Sequence, residues 1–300
     1  QGFFYNKMRV KMANNVLKLA IQKKGRLTDK SIELLKHCDI DIESFTDKLQ
    51  VSAKNYDLEI ILLRDDDIPE YVQDGVADIG IVGENVIAEK KHDVKIIKKL
   101  GFGKCTLMFA IPENKNLNDI SELEGKRIAT SYPNIVNQFL SEHNINAKIV
   151  DISGSVEVAP ALGIADVICD IVSTGNTLRM NKLKKSFPVF QSEAALITSA
   201  QFELSTEKQE ILDDLLKRIN AIQRAQKSKY LMLNIDKQKL DSIIKIIPSL
   251  KSPTIVPLAD ENMVAVHAVV TTQQFWNISD TLKQLGATGI ILLPIESIIP

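Results

Sequence analysis

Short apolar runs alternate with helical patterns along the first two thirds of the chain, and this alternation is the strongest constraint on the fold. The runs VLKLAI (16–21), LEIILL (58–63) and DIGIV (78–82) have the length and composition of buried strands. Amphipathic segments follow them, such as the one that begins with Pro69, a residue suited to the first turn of a helix. Strands that alternate with helices form a mostly parallel sheet with helices on its faces. The sequence therefore predicts an α/β fold.

The same alternation restarts after Pro112 and predicts a second α/β lobe. With 300 residues the chain is long enough for two or three domains. We predict a discontinuous first lobe at residues 1–107 and 191–227, and a second lobe at residues 108–190. Two such lobes with a cleft between them are also the architecture of periplasmic binding proteins. In open α/β sheets, ligands bind beyond the carboxyl ends of the strands.

Residues 228–300 have a different pattern, with strands and helices in the order βαββαβ. This order is that of the ferredoxin-like unit, and about 70 residues suffice for a small domain. The segment contains no Arg and no obvious catalytic cluster. We therefore predict a binding or regulatory domain.

Charge and cysteine content exclude several classes of protein. The formal net charge of −1 gives no global attraction to nucleic acid or to anionic membranes. Cys38, Cys105 and Cys169 lie far apart, as do the four histidines, so no metal-ligand spacing is present. We expect inert, buried thiols. No apolar run reaches the ~20 residues of a membrane span, and we find no signal peptide, so we expect a cytoplasmic protein.

The segment ICDIVSTGNTL (168–178) contains the clearest candidate site. Asp170 lies near the end of a predicted strand, and Gly175 permits the positive φ of a backbone nest that binds anions. Such a nest suits a phosphate, and a carboxylate suits ribose hydroxyls, so the pattern favours a ribose 5-phosphate. The alternative is an ordinary strand-to-helix turn with Asp170 as a structural cap. The candidate residues are Asp170, Ser173, Thr174, Gly175, Asn176 and Thr177.

Three other segments carry charges at the ends of predicted strands. In KKGRL, Lys24 and Arg26 either contact a polyphosphate or form a solvated charge run, and Thr28 or Asp29 is expected to cap the next helix. In RDDDIP (64–69), the three acids either hold Mg²⁺ through water or cap the following helix. Asp78 and Glu84 flank a buried strand, and we expect both to face the cleft.

Nine segments in order resemble one family, the long form of ATP phosphoribosyltransferase, the first enzyme of histidine biosynthesis. The resemblance covers roughly residues 16 to 296, and the segments read KKGRL, RDDDIP, DIGIVGENV, GKRIATSYP, GSVEVAP, ADVICDIVSTGNTL, QKSKYLML, SPTIVPL and GATGIILLPIE. The resemblance implies two periplasmic-binding-protein-like α/β lobes and a C-terminal ACT-like domain. It also implies that phosphoribosyl pyrophosphate and ATP react to give phosphoribosyl-ATP and pyrophosphate, with Mg²⁺ bound through the pyrophosphate.

The resemblance assigns roles to residues at the predicted strand ends. Glu157 joins the segment from Asp170 to Thr177 as part of the phosphoribosyl pyrophosphate site. No general base is assigned, because positioning and charge neutralisation can supply most of the acceleration. The residues expected to contact ATP or either substrate are Lys24, Gly25, Arg26, Asp78, Glu84 and Tyr132.

For the C-terminal domain the resemblance implies feedback inhibition by histidine. The expected effector contacts are Asn234, Leu250, Ser252 and Thr254. The family forms dimers that assemble into hexamers, and we expect the same of this chain.

Two other hypotheses remain open on the sequence alone. One is a non-catalytic, two-lobed solute-binding protein, because a fold does not determine function. The other is a regulator whose ACT-like domain senses an amino acid, which leaves Asp170 and the nest unexplained.

Overall fold

The computed structural model describes residues 15–43, 48–172, 175–249 and 252–299. The chain divides into two compact units, the first ending at Leu212 and the second beginning at Asp213. No helix in the described ranges has both the length and the apolar character needed to cross a membrane.

Most of the predicted apolar runs form strands, and the structure contains strands in both units. Those of the first unit are β1 (Leu17–Gln22), β2 (Gln50–Ser52), β3 (Leu58–Leu63), β4 (Ile79–Gly83), β5 (Val94–Lys99), β6 (Cys105–Pro112), β7 (Arg127–Thr130), β8 (Lys148–Asp151), β9 (Val167–Val172), β10 (Leu183–Ser192) and β11 (Ala194–Ser199). Those of the second unit are β12 (Ser228–Asp236), β13 (Thr254–Pro257), β14 (Met263–Thr271) and β15 (Thr288–Pro294).

Helices connect these strands, and one long helix crosses the boundary between the units along the chain. They are α1 (Thr28–His37), α2 (Ile68–Gln73), α3 (Glu84–Lys90), α4 (Pro133–Glu142), α5 (Asn176–Met180), α6 (Thr206–Gln226), α7 (Leu240–Ile246) and α8 (Thr272–Gln284). The expected cap of α1 by Thr28 or Asp29 is wrong. Leu27 precedes the helix, and the Gln22 side chain accepts its N–H at 3.2 Å.

The first sheet has the strand order β2-β3-β1-β4-β11-β5. β3, β1 and β4 are parallel, whereas β2, β11 and β5 pair antiparallel. All five residues of β4 are buried, as a continuous apolar run in a parallel sheet predicts. The carboxyl ends of the parallel strands lie at Gln22, Leu63 and Gly83.

The second sheet has the order β10-β6-β9-β7-β8, with β9, β7 and β8 parallel. The chain crosses between the two sheets twice, from β5 to β6 and from β10 to β11. The two-lobed α/β prediction is therefore confirmed. Both sheets are mostly parallel, as predicted. In each sheet the strand that the chain enters by crossing, β11 in the first and β6 in the second, is antiparallel to both of its neighbours.

The second unit contains the sheet order β13-β14-β12-β15, antiparallel throughout. Alternate residues of its strands face one core, including Leu231, Leu233, Val264 and Val266, and both helices pack on that face. The predicted βαββαβ unit is confirmed.

Four elements were not predicted: β2, α3, β5 and β10. In β10, Pro188 interrupts the apolar pattern and lies at register shifts in the pairing with β6. A proline is tolerated there because β10 is at the edge of the sheet.

Candidate active site

Four of the predicted site residues come together across the two lobes. Arg26 follows β1 in the first lobe, whereas Tyr132, Glu157 and Asp170 belong to the second. The charges of Glu157 and Arg26 act on the Asp170 carboxyl, and those of Asp170 and Arg26 act on the Tyr132 hydroxyl. This group of four residues, here called the cleft cluster, lies where the parallel strands of both sheets end.

Asp170 is half-buried near the end of β9, and its environment disfavours the charged carboxylate. Burial raises its pKa most, and the neighbouring Glu157 raises it further. The Ile171 N–H, which donates to Asp170 Oδ1 at 2.7 Å, and the charge of Arg26 act in the opposite direction. A carboxylate held in this way gains from ligand hydroxyls that donate to it.

Tyr132 is the residue directly before α4. Burial raises the pKa of its hydroxyl well above the usual value, with a further contribution from the charge of Asp170. Asn85 Nδ2 donates to the hydroxyl at 3.4 Å. Tyr132 is therefore neutral at physiological pH. Its ring packs against the core of the second lobe, and its hydroxyl lies within reach of the charges of the cleft cluster.

Gly175 has φ +80° and stands directly before α5, so the backbone conformation needed for a nest is present at this position. A Cβ at Gly175 would lie 2.7 Å from Lys185 Cε and 3.1 Å from its Nζ, which brings a cation to the loop. Asn176 and Thr177 form the first turn of α5. The predicted residues Ser173 and Thr174 lie outside the described residues, so the nest stays a prediction.

The segment GSVEVAP contains two successive residues with left-handed backbone conformation, Gly154 (φ +86°) and Ser155 (φ +51°). For the non-glycine residue this conformation costs about 1–2 kcal/mol. The turn leads into a short 3-10 helix, Val156–Val158, that contains Glu157. Strained backbone of this kind is frequent at functional sites. The sequence did not identify Ser155.

In KKGRL, a side chain at Gly25 (φ +148°) would collide with the amide of Gln22. Gly25 therefore keeps the turn tight, and it lies between exposed Lys24 and exposed Arg26. Arg26 is the residue of this turn whose charge reaches the cleft cluster.

Asp78 and Glu84 lie at opposite ends of β4, so the expectation that they face the same region is wrong. Asp78 precedes the strand; it accepts the Lys18 N–H and pairs with Lys208 Nζ, both at 2.8 Å. Asp78 thus has a structural role far from the carboxyl ends of the strands.

Glu84 begins α3 at the correct end of β4, and it pairs with Lys99 Nζ at 2.8 Å. Its side chain borders a cavity of about 600 Å³ beside the two crossings between the lobes. The lining residues are Glu84, Lys99, Lys104, Cys105, Thr106, Val172, Gln191, Ser192 and Glu193. None of the cleft cluster is among them, although Val172 belongs to β9, the strand that contains Asp170.

The three acids of RDDDIP form a 3-10 turn before α2, and none caps a helix with its side chain. Asp66 pairs with Lys90 at 3.3 Å, and the charge of Asp65 reaches the Tyr132 hydroxyl. No group of three His, Cys, Asp or Glu side chains arranged to hold a metal occurs in the described part of the chain.

In the second unit, Asn234 of β12 and Thr254 of β13 lie on the sheet face opposite the helices. Their strand neighbours Leu233 and Ile255 belong to the core, and side chains alternate between faces. Asn234 Nδ2 lies 3.2 Å from the Cβ position of Gly289. Ser252 is exposed, and Leu250 lies outside the described residues.

Two residues that the sequence did not single out bind Tyr132 or the helix that follows it. Asn85 contacts its hydroxyl, and Glu89 binds the backbone of the helix that Tyr132 precedes. The sequence could have indicated Asn85, because it follows a predicted strand in Gly-Glu-Asn. No sequence pattern indicated Glu89.

The chain matches two family models. The family model described as ATP phosphoribosyltransferase matches residues 64–221, and that of the HisG C-terminal domain matches residues 225–297. The ATP phosphoribosyltransferase of Cytophaga hutchinsonii is 50% identical over 286 residues, which cover 95% of this chain and 99% of the relative. That of Parabacteroides distasonis is 50% identical over 284 residues, 95% of this chain and all of the relative.

This chain is also similar to a solved structure. A chain of the ATP phosphoribosyl transferase (HisG:HisZ) complex from Thermotoga maritima is 29% identical, with a TM-score of 0.57. The match covers 68% of this chain and 99% of the other. Both family models together extend over most of the chain, and the relatives match from end to end. The chain therefore belongs to the ATP phosphoribosyltransferase family.

Proposed function

We propose that the chain transfers the phosphoribosyl group of phosphoribosyl pyrophosphate to N1 of the adenine of ATP. The products are phosphoribosyl-ATP and pyrophosphate, in the first step of histidine biosynthesis. Family membership supports the reaction. The observation that carries the site assignment is the cleft cluster, in which the charge of Arg26 of one lobe acts on Tyr132 and Asp170 of the other, and Glu157 acts on Asp170.

In this proposal the second lobe, residues 108–190, binds phosphoribosyl pyrophosphate. Asp170 accepts hydrogen bonds from the ribose hydroxyls, and the loop of Ser173, Thr174, Gly175, Asn176 and Thr177 binds the 5-phosphate. The ammonium of Lys185, beside Gly175, adds positive charge at the phosphate. The carbon–oxygen bond to pyrophosphate breaks and the bond to N1 forms. The carboxylates of Asp170 and Glu157 stabilise the positive charge that develops on the ribose carbon.

ATP binds between this lobe and the first, which we assign to residues 1–107 and 191–227. Tyr132 packs against the adenine, while Lys24, Gly25 and Arg26 contact phosphates, and Glu84 helps to define the pocket beside β4. Adenine N1 has a lone pair and no proton to lose, so the step needs no general base. Positioning two anionic substrates supplies the acceleration.

Mg²⁺ accompanies the substrate in this proposal. Mg²⁺ is usually held by one or two carboxylates together with substrate phosphates and water. The described residues fit this mode, because single carboxylates such as Asp65 and Glu157 act at the cleft cluster without a group of three. When bound, the ion neutralises the departing pyrophosphate.

Residues 228–300 bind histidine in this proposal and transmit feedback inhibition, through Asn234, Leu250, Ser252 and Thr254. The match to the HisG C-terminal domain supports this role. Inhibition of this kind requires two states with different histidine affinity. We further propose that dimers assemble into hexamers and that the enzyme acts in the cytoplasm, where its substrates are made.

The experiment is a direct assay. ATP, phosphoribosyl pyrophosphate, Mg²⁺ and pyrophosphatase are mixed with the protein, and phosphoribosyl-ATP is followed by its ultraviolet absorbance. We expect turnover that is lost in Asp170→Ala and kept in Asp57→Ala, a matched change at an exposed residue before the amino end of β3. Absence of product with protein shown to be folded by circular dichroism would exclude the function.

A further inference from the structure

The first turn of α4 is capped by a residue of the other lobe. Tyr132 stands at the N-cap position, where Ser, Thr, Asp or Asn normally accepts the free N–H groups. Its side chain makes no such bond. Instead, Glu89 Oε1 accepts the N–H of Asn134 and Glu89 Oε2 accepts that of Ile135, each at 3.0 Å.

Glu89 belongs to α3 of the first lobe and is buried, with 7% of its surface exposed. Both carboxylate oxygens therefore have partners in a region that excludes most water. A negative charge at a helix N-terminus is favourable, and hydrogen bonds to a charged acceptor are the strong ones. The Asn134 Nδ2 atom donates in return to the Glu89 carbonyl at 2.9 Å. The contact thus holds α3 and α4 in one relative position.

Helix α3 also contacts the Tyr132 side chain. Asn85 lies four residues before Glu89, so both side chains project from one face of α3. Asn85 Nδ2 donates to the Tyr132 hydroxyl at 3.4 Å. Ser192, at the second crossing, donates to Asn85 Oδ1 at 2.8 Å and accepts the Asn85 N–H at 3.1 Å. Residues of α3 therefore bind the Tyr132 hydroxyl and the backbone of the first turn of α4, which Tyr132 directly precedes.

We propose that Glu89 is a positioning residue that fixes Tyr132 in the cleft. It takes over the capping of α4, which frees the N-cap position for an aromatic side chain that faces the substrate. Glu89 itself does not touch the reacting atoms. This inference rests on the proposed function, because it assumes that Tyr132 packs against the adenine of ATP.

The test compares Glu89→Ala and Glu89→Gln with Glu142→Gln. Glu142 is an exposed glutamate at the other end of α4 and serves as the matched control. We expect Glu89→Ala to raise the KM for ATP by about tenfold, which is the usual effect of losing a hydrogen bond to a charged group. Glu89→Gln retains one carbonyl acceptor and has a smaller effect. The KM for phosphoribosyl pyrophosphate changes less in both, and Glu142→Gln has no effect.

A double-mutant cycle with Tyr132→Ala separates positioning from general support of the fold. If Glu89 acts through Tyr132, Glu89→Ala adds nothing to the KM for ATP in the Tyr132→Ala background. Additive effects, or a fall in kcat alone with both KM values unchanged, would overturn the proposal. If Glu89→Ala does not fold, the same cycle is measured with Glu89→Gln and Tyr132→Ala, and the same outcomes support or overturn the proposal.

Hydrogen exchange of the substrate-free protein tests the cap without any activity. We expect the amides of Asn134 and Ile135 to exchange faster in Glu89→Ala and at the wild-type rate in Glu142→Gln. Unchanged exchange in Glu89→Ala would refute the cap even in an active enzyme. A wild-type protein without turnover would refute the proposed function while leaving the exchange result interpretable.

Discussion

Replacement of Gly175 by valine tests the assignment of the phosphate loop. Because Gly175 has φ +80°, any side chain there adopts a left-handed conformation that costs about 1–2 kcal/mol. The new Cβ would also stand 2.7 Å from Lys185 Cε, so either the lysine or the loop must move. The free energy of unfolding of a typical domain is about 5–15 kcal/mol, so we expect the variant to fold.

The affinity for phosphoribosyl pyrophosphate is expected to fall much more than stability does. Each hydrogen bond from the loop to the charged phosphate contributes about 1.5–3 kcal/mol, so the loss of one weakens binding by roughly 10- to 100-fold. Isothermal titration calorimetry with phosphoribosyl pyrophosphate and Mg²⁺ measures this change, and thermal unfolding measures stability.

Gly125→Val is the matched control for this substitution. Gly125 has a similar φ of +68°, and no atom lies within 4 Å of its Cβ position. It precedes β7, at the opposite end of that strand from the site. Both substitutions therefore carry the same backbone cost, and Gly125→Val should keep the wild-type affinity for phosphoribosyl pyrophosphate. Wild-type affinity in Gly175→Val, or an equal loss in Gly125→Val, would refute the assignment of the loop.

Three further predictions concern charge and regulation. Asp170→Asn should weaken phosphoribosyl pyrophosphate binding about tenfold or more. Burial raises the Asp170 pKa, so the ionised carboxylate destabilises the folded protein at neutral pH, and Asp170→Asn should unfold at a higher temperature there. This gain in stability should disappear below the usual carboxyl pKa, where the carboxyl is protonated in both states. Asp166 forms a two-pronged pair with Arg127, which lowers the Asp166 pKa from 3.8 to about 2. Asp166→Asn should therefore cost about 1 kcal/mol of unfolding free energy at pH 7, allowing for solvent screening, and the difference should vanish as the pH falls from about 4 to 2 in urea titrations. Thr254→Val should raise the histidine concentration for half-inhibition roughly tenfold and leave turnover without histidine unchanged, whereas unaltered inhibition would contradict the effector assignment.

Much of the architecture was predictable because strands and helices are recorded in local patterns. The apolar run LEIILL became β3 with the predicted bounds, because a short run of branched apolar residues favours a strand locally. The misses had local causes as well. β10 contains Pro188 at a bulge, and α3 follows β4 so closely that its start resembles a loop.

The site was predictable in part for a topological reason. Polar residues after buried strands meet at one edge of a parallel sheet, so the pattern pointed to Arg26 and Asp170. Tyr132 was indicated by the family resemblance alone. Asp78 was misassigned because it stands at the amino end of its strand, and the pattern of residues around it does not reveal its partner Lys208, 130 residues away.

The sequence by itself determined the two α/β lobes, the βαββαβ unit and the segments that carry the family resemblance. These depend on periodicity and on short motifs, which each local stretch of chain contains. Only the tertiary structure decided which charges meet. Glu89 caps α4 from 45 residues away, and Ser192 orders Asn85 from 107 residues away. Such contacts depend on how the lobes pack, because hydrogen bonds form only between groups that the whole fold brings within about 3 Å of each other.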